Sequence, residues 1–168
     1  RGARAGAGGV RGRAVSVEIE RKFLVADTGF LAGLEGERLT QGYIASTGRA
    51  TVRVRIGGTR AWLTLKGRTE GISRREFEYE IPLAHAQICV AEFCTGPVID
   101  KTRYRVAHNA HVWEVDVFHG DNEGLVLAEI ELTREDECFQ CPSWLGAEVS
   151  GDPRYYNSNL AKRPYRIW

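Results

Sequence analysis

The chain has 168 residues, 43% hydrophobic and 27% charged, with a formal net charge of +1. That length fits one domain able to bury about two-thirds of its unfolded surface, with the composition of an ordinary globular protein. A balance so close to neutral gives no basis for general attraction to nucleic acid, and no run approaches the roughly 18 consecutive apolar residues of a membrane-spanning helix.

Residues 1–16 stand apart. They carry four Arg and no acid, leaving 19 basic against 22 acidic residues in the remainder, a balance of −3. Rich in Gly and Ala, with no initiator Met and no apolar signal-peptide core, this segment reads as a flexible tail or cloning remnant. Residues 17–168 read as a single cytoplasmic domain.

The first predicted strand, 17–25, contains Glu18-Ile19-Glu20-Arg21-Lys22-Phe23. Successive strand side chains point to opposite faces, so two carboxylates and an ammonium share one face. A short helix is expected over 27–34, capped by Asp27 or Thr28. Strands at 38–46, 50–57, 59–67 and 73–81 follow, joined by tight turns such as Thr47-Gly48 and Gly57-Gly58. A helix over 83–92 begins after Pro82. Strands at 99–107, 111–118 and 126–133 come next, and a short helix at about 156–161 follows the Asp152-Pro153 turn. About eight sequential strands in so small a domain would expose edges unless the sheet closes, which predicts an antiparallel barrel or strongly curved sandwich.

The pattern of charges sharing one face returns on almost every later strand. Arg53 and Arg55 oppose Val52, Val54 and Ile56, and Thr64, Lys66 and Arg68 oppose Leu63 and Leu65. Arg74, Glu76, Glu78 and Glu80 oppose Phe77, Tyr79 and Ile81, while Lys101, Arg103 and Arg105 oppose Tyr104 and Val106. Glu114 and Asp116 oppose Trp113 and Val115, and Glu129 and Glu131 oppose Ile130 and Leu132. A solvated sheet face accounts for alternation, but ordinary sheets set opposite signs across strands, whereas these charges come in same-sign blocks. Turned inward, the face makes a charged bore whose unpaired ions cost several kcal/mol each unless ligands or mutual pairing offset them. It carries almost no aromatic residues, unlike a single-stranded nucleic-acid platform.

This ordered set resembles the CYTH-domain proteins, the triphosphate tunnel metalloenzymes, over roughly residues 17–165. The resemblance rests on Glu18-x-Glu20-x-Lys22, then Arg53-x-Arg55, Lys66-Gly67, Arg75-x-x-Glu78, Lys101-x-Arg103, Glu114-x-Asp116 and Glu129-x-Glu131. It implies a mainly β (α+β) fold, a closed eight-stranded antiparallel β-barrel tunnel with a few flanking helices. It also implies metal-dependent hydrolysis of inorganic triphosphate, a small-molecule substrate, with neither nucleic acid nor membrane as partner. Thiamine triphosphatase, class IV adenylate cyclase and a non-enzymatic polyphosphate binder are the alternatives.

The roles follow the chemistry. Triphosphate carries about four or five negative charges, suited to forked guanidinium donors and lysine point charges. Its cradle is assigned to Lys22, Arg53, Arg55, Lys66, Arg103 and Arg75. Strict alternation puts Arg75 on the apolar face, so either Arg74 takes that role or a bulge intervenes, and both stay open. Glu18, Glu20, Glu129 and Glu131 are the metal ligands, and their hard oxygens select Mg²⁺ or Mn²⁺. Lys101, Glu114 and Asp116 are the catalytic candidates: Glu114, Asp116 or Glu131 to orient water, Lys101 to assist the leaving phosphate. Lys162 leans over a mouth. The four histidines fall on helix or turn-like positions and read as surface or structural residues. The four cysteines, including Cys138-x-x-Cys141, read as reduced thiols.

Overall fold

Period-two alternation yields nine strands: β1 (Ser16–Val25), β2 (Glu37–Ser46), β3 (Ala50–Gly57), β4 (Arg60–Gly67), β5 (Ser73–Ile81), β6 (Ile99–His108), β7 (His111–Phe118), β8 (Val126–Glu131) and β9 (Leu145–Glu148). The structure, a computed structural model, describes residues 16–168. The segment read as a tail lies outside the described residues except for Ser16, which begins β1. Neighbouring strands run antiparallel in the order β5-β4-β3-β2-β6-β7-β8-β1, and β1 also pairs with β5, so eight strands close into a barrel. The seam lies within β1. Ser16–Ile19 pair with β5, whereas Glu20–Leu24 pair with β8. Beyond the point where β5 departs, β9 takes that edge, with Phe23 opposite Glu148 and Val25 opposite Leu145. Closure leaves no long unpaired edge to recruit another chain.

Tight turns make the sequential pairing possible. Thr47 folds its own hairpin, its hydroxyl accepting from the amides of Arg49 and Ala50, each at 3.2 Å. Gly58, at φ +55°, supplies the left-handed residue of the two-residue β3–β4 turn. The turns at 47–49 and 68–72 therefore lie at one end of the barrel, and those at 58–59 and 109–110 at the other.

The outer wall is apolar and covered in two places. Val54 and Ala61 pack against Ala86 of the helix α1 (Leu83–Ile88), which continues as a wider π-helical turn, Cys89–Phe93. Phe23, Trp113, Val115, Ala128 and Ile130 pack beneath Trp144, Phe139 and Phe30. Four of those aromatics meet edge-on around Trp113 and Phe139 at centroid separations of 5.7–6.1 Å.

The inner wall has an apolar layer that the sequence analysis did not anticipate. The inward rows of β1, β2, β6, β7 and β8 change from charged residues to Leu24, Tyr43, Ile99, Phe118 and Leu127, which pack with Tyr155, Leu160 and Ala161. These last three come from the C-terminal segment, whose helix α2 spans Asn157–Leu160. One side of the bore therefore ends on a hydrophobic layer at the 47–49 end. Tyr155, Tyr165 and Trp168 hold the terminus through edge contacts of 5.1 Å.

The helix expected over 27–34 is only a 3₁₀ turn, Gly29–Leu31. Asp27 accepts from the Gly29 amide at 2.8 Å, but Gly29 and Gly33 weaken propagation, and Gly33 sits at φ +82°. No helix among the described residues is long and apolar enough to cross a membrane.

Candidate active site

The ionic faces converge on a cavity of about 980 Å³ inside the barrel. Glu18, Glu20, Lys22, Arg53, Arg55, Lys66, Lys101, Arg103, Glu114, Glu129 and Glu131 all line it. They divide into two walls.

The wall on β1, β6, β7 and β8 is rich in acids. Arg103 grips Asp116 through two bonds of 2.7 Å, reaches Glu129 at 3.2 Å and also pairs with Glu114. Lys101 donates to Asp116 at 2.6 Å, and Lys22 to Glu129 at 2.8 Å. Burial disfavours every one of these ions, and pairing decides the outcome. Burial pushes Lys101 down to about 8 against the attraction of Asp116. For Glu129, Lys22 and Arg103 outweigh burial and hold the carboxyl well below its usual range. Asp116 is likewise lowered by Arg103 and Lys101 against burial.

The wall on β3, β4 and β5 is rich in cations. Arg53 and Arg55 share one carboxylate, Glu78, at 3.5 and 3.2 Å. Thr64, fully buried, donates to Glu78 and accepts from Arg53, both at 3.1 Å. The Nε groups of Arg53 and Arg55 are buried without a protein partner. Such donors have a cost unless something accepts from them, and a phosphate oxygen is a fitting acceptor. Lys66 donates to both oxygens of Glu18, at 2.9 and 3.0 Å, and pairs with Glu76 at 2.6 Å. Arg74 reaches Glu18 at 2.7 Å.

Three assignments need correction. Arg75 is exposed and opposite Val17 on the outer surface, while Arg74 faces inward, as alternation demands without a bulge. Asp116 does not reach the cavity: it is fully buried behind Lys101 and Arg103 and positions them. Lys162 is exposed and away from the cavity, since the α2 residues that line it are Asn157, Ser158 and Asn159. The ionic face is also less bare of aromatics than expected. Trp62 lies on it, with the guanidinium groups of Arg55 and Arg60 at 5.1 and 5.0 Å from the ring. Tyr43 lines it too, its hydroxyl accepting from Gln41 at 3.1 Å. Both were signalled by parity, Trp62 with Thr64 and Lys66, Tyr43 with Gln41. Arg68 has the parity of Thr64 and Lys66, whereas Ser150 and Arg49 come from turns that alternation does not reach.

The carboxylates of the first and last barrel strands suit a hard divalent ion. Glu20 lies directly across from Glu131, and Lys22 from Glu129. Burial and then the charge of Glu129 raise the Glu20 carboxyl to about 7, against the pull of Lys22 at 3.7 Å. Two residues earlier the balance reverses: Lys66 and Arg74 outweigh burial and bring Glu18 down to about 2. A cation among these oxygens would relieve the repulsion at Glu20, so the donor set fits. Among the described residues no three such groups converge as a ready-made centre, because lysines and arginines already hold Glu18 and Glu129.

A closed antiparallel barrel with a cationic wall facing carboxylates defines a polyanion-binding tunnel. The chain belongs to the CYTH domain family, whose model matches residues 16–165. It is 48% identical over 149 residues to an inorganic triphosphatase of Acetivibrio thermocellus, covering 89% of this chain and 96% of the relative. It is 39% identical to an inorganic triphosphatase of Nitrosomonas europaea, covering 86% and 96%. A crystal structure of an inorganic triphosphatase superposes with a TM-score of 0.62 at 36% identity, covering 86% of this chain and 93% of that one. Triphosphatases of this family are metal-dependent.

Proposed function

We propose that this chain hydrolyses inorganic triphosphate to pyrophosphate and orthophosphate with Mg²⁺ or Mn²⁺ in a cytoplasmic setting, where its four free thiols would stay reduced. The observation that carries the reading is the pairing of two unlike walls around one cavity, supported by the two triphosphatase relatives. Arg53, Arg55, Lys66 and Arg74 on one side, with Lys22 and Arg103 on the other, cradle the phosphate chain. Their charges oppose the substrate's, and the unpartnered Nε groups add oriented donors.

Glu18, Glu20, Glu129 and Glu131 would hold the metal. When bound, it would neutralise charge developing on the transferred phosphoryl group. Glu114 or Glu131, both lining the cavity, would orient the attacking water. Its oxygen bonds to the terminal phosphorus as the bridging P–O bond breaks, the orienting carboxylate takes the proton it releases, and Lys101 stabilises the charge left on the departing oxygen. Asp116 acts through Lys101 and Arg103 by fixing their geometry.

The test is phosphate release from tripolyphosphate, ATP, thiamine triphosphate and long-chain polyphosphate with each metal, with cyclic AMP formation followed alongside. Tripolyphosphate should be the preferred substrate, and chelation should abolish turnover. Glu18→Ala and Glu20→Ala should each abolish it with the fold kept. A folded variant with full metal-dependent turnover would overturn the ligand assignment, and preference for an organic triphosphate would overturn the substrate.

A further inference from the structure

We propose that Arg49 and Arg68 form an oxyanion-capture site at one mouth of the barrel, through which the phosphate chain enters the bore. The inference rests on the triphosphatase reading and adds a direction of entry to it. Every other lysine or arginine lining the cavity holds a carboxylate. Arg49 and Arg68 line the same cavity and, among the described residues, hold none.

Their placement is specific. Ala50 and Gly67 form the last rung between β3 and β4, so Arg49 and Arg68 are the next residues outward on the two chains. Like charges facing each other across a strand end are unfavourable, and an anion between them removes the cost. Both sit on ordered turns. The Thr47 hydroxyl fixes the Arg49 amide at 3.2 Å, and reciprocal Glu70–Ser73 backbone bonds of 2.9 and 3.1 Å close the turn after Arg68. Glu70 makes no ion pair with Arg68. Across the mouth, α2 and its approach contribute neutral groups, Ser150, Asn157, Ser158 and Asn159. The buried Asn157 Oδ1 among them has no partner.

The opposite mouth is compensated. There Arg60 pairs with Glu80 at 2.8 Å and Arg105 with Glu114 at 3.1 Å. The barrel therefore has one opening at which two arginines hold no carboxylate. The ligand class is a multivalent phosphate anion, arriving as substrate or leaving as product.

The experiment uses the full chain with Arg49→Gln, Arg68→Gln, the double variant and Arg75→Gln. Arg75 is an exposed arginine on the outer wall, so its variant removes the same charge away from the mouth. Steady-state tripolyphosphate hydrolysis is measured across ionic strength. The double variant should lose about three- to tenfold in kcat/KM at low salt, with kcat held within about twofold and a shallower salt dependence. Arg75→Gln should match the parent. A second readout needs no turnover: pyrophosphate should raise the thermal midpoint of the parent more than that of the double variant. Without ligand the double variant should melt no lower, because a repulsion is gone.

Unchanged kcat/KM and salt slope, or an equal effect from Arg75→Gln, overturns the proposal. A fall in kcat matching that in kcat/KM also overturns it, by moving the arginines to the reacting centre. If the parent does not cleave tripolyphosphate, the triphosphatase reading fails by itself, and the pyrophosphate melting shifts still decide the capture site.

Discussion

The two walls of the bore are built from the same residue types and solve opposite problems. On the acid-rich wall most buried charges are tied into one network: Arg103 alone spans Asp116, Glu114 and Glu129, and Lys101, almost fully buried beside it, also holds Asp116. On the cation-rich wall two arginines share one carboxylate and keep buried donors in reserve. A saturated network holds shape, whereas an unsaturated one waits for a ligand. The chain separates the two tasks by strand order. Central strands β3 and β4 supply cations, β7, β8 and β1 supply carboxylates, and closure sets the walls face to face.

Removing a partner on each wall tests that contrast. The largest effect should follow Asp116→Ala. It strands the buried Lys101 ammonium and strips Arg103 of its two-pronged partner, costing about 3–5 kcal/mol of stability by denaturant unfolding. A loss below about 1 kcal/mol would mean that the acid-rich wall is not the rigid one.

Lys101 gives a second contrast, between activity and stability. Burial lowers it to about 8, so its ammonium form is lost in the folded protein before the unfolded value of 10.5 is reached. If that ammonium stabilises the leaving phosphate, turnover should fall about tenfold per pH unit above about 8. Stability should move the other way. Between about 8 and 10.5 the unfolded chain binds more protons than the folded one, so the cost of burying the charge is relieved as pH rises. Lys101→Met should flatten both profiles. An alkaline limb that survives in the Met variant would assign it to another group.

The eight barrel strands and the inward ionic rows were legible because period-two alternation persists along every strand. Strand number left a barrel or a strongly curved sandwich, and the family resemblance pointed to the closed barrel. Parity also chose Arg74 over Arg75, while the family motif favoured Arg75; the local rule was the better guide because β5 runs through that point without a bulge. Asp116 has the right parity for the cavity, yet lies beneath two long cations, a depth no alternation pattern encodes. The apolar layer of Leu24, Tyr43, Ile99, Phe118 and Leu127 was hidden for a related reason. Its partners Tyr155 and Leu160 come from a distant segment with little periodicity of its own. β9 escaped because four residues, two of them exposed, are too short to display a pattern.

Thr64 offers the smallest and sharpest comparison. It is a buried hydroxyl that joins two ions of the cation-rich wall, bonded to both Arg53 and Glu78. Thr64→Val keeps the shape and removes both bonds, leaving the two ions to each other at 3.5 Å. The expected cost is about 1–2 kcal/mol of stability, since both ions stay partly exposed in the bore and in contact with each other. Turnover should fall by about tenfold or less, because the guanidinium is misaimed and still present. Thr64→Ser restores the hydroxyl and should recover most of the activity while keeping a small stability deficit from the lost methyl. If Val and Ser variants behave alike, the hydroxyl does not aim Arg53, and the cation-rich wall is positioned by strand geometry alone.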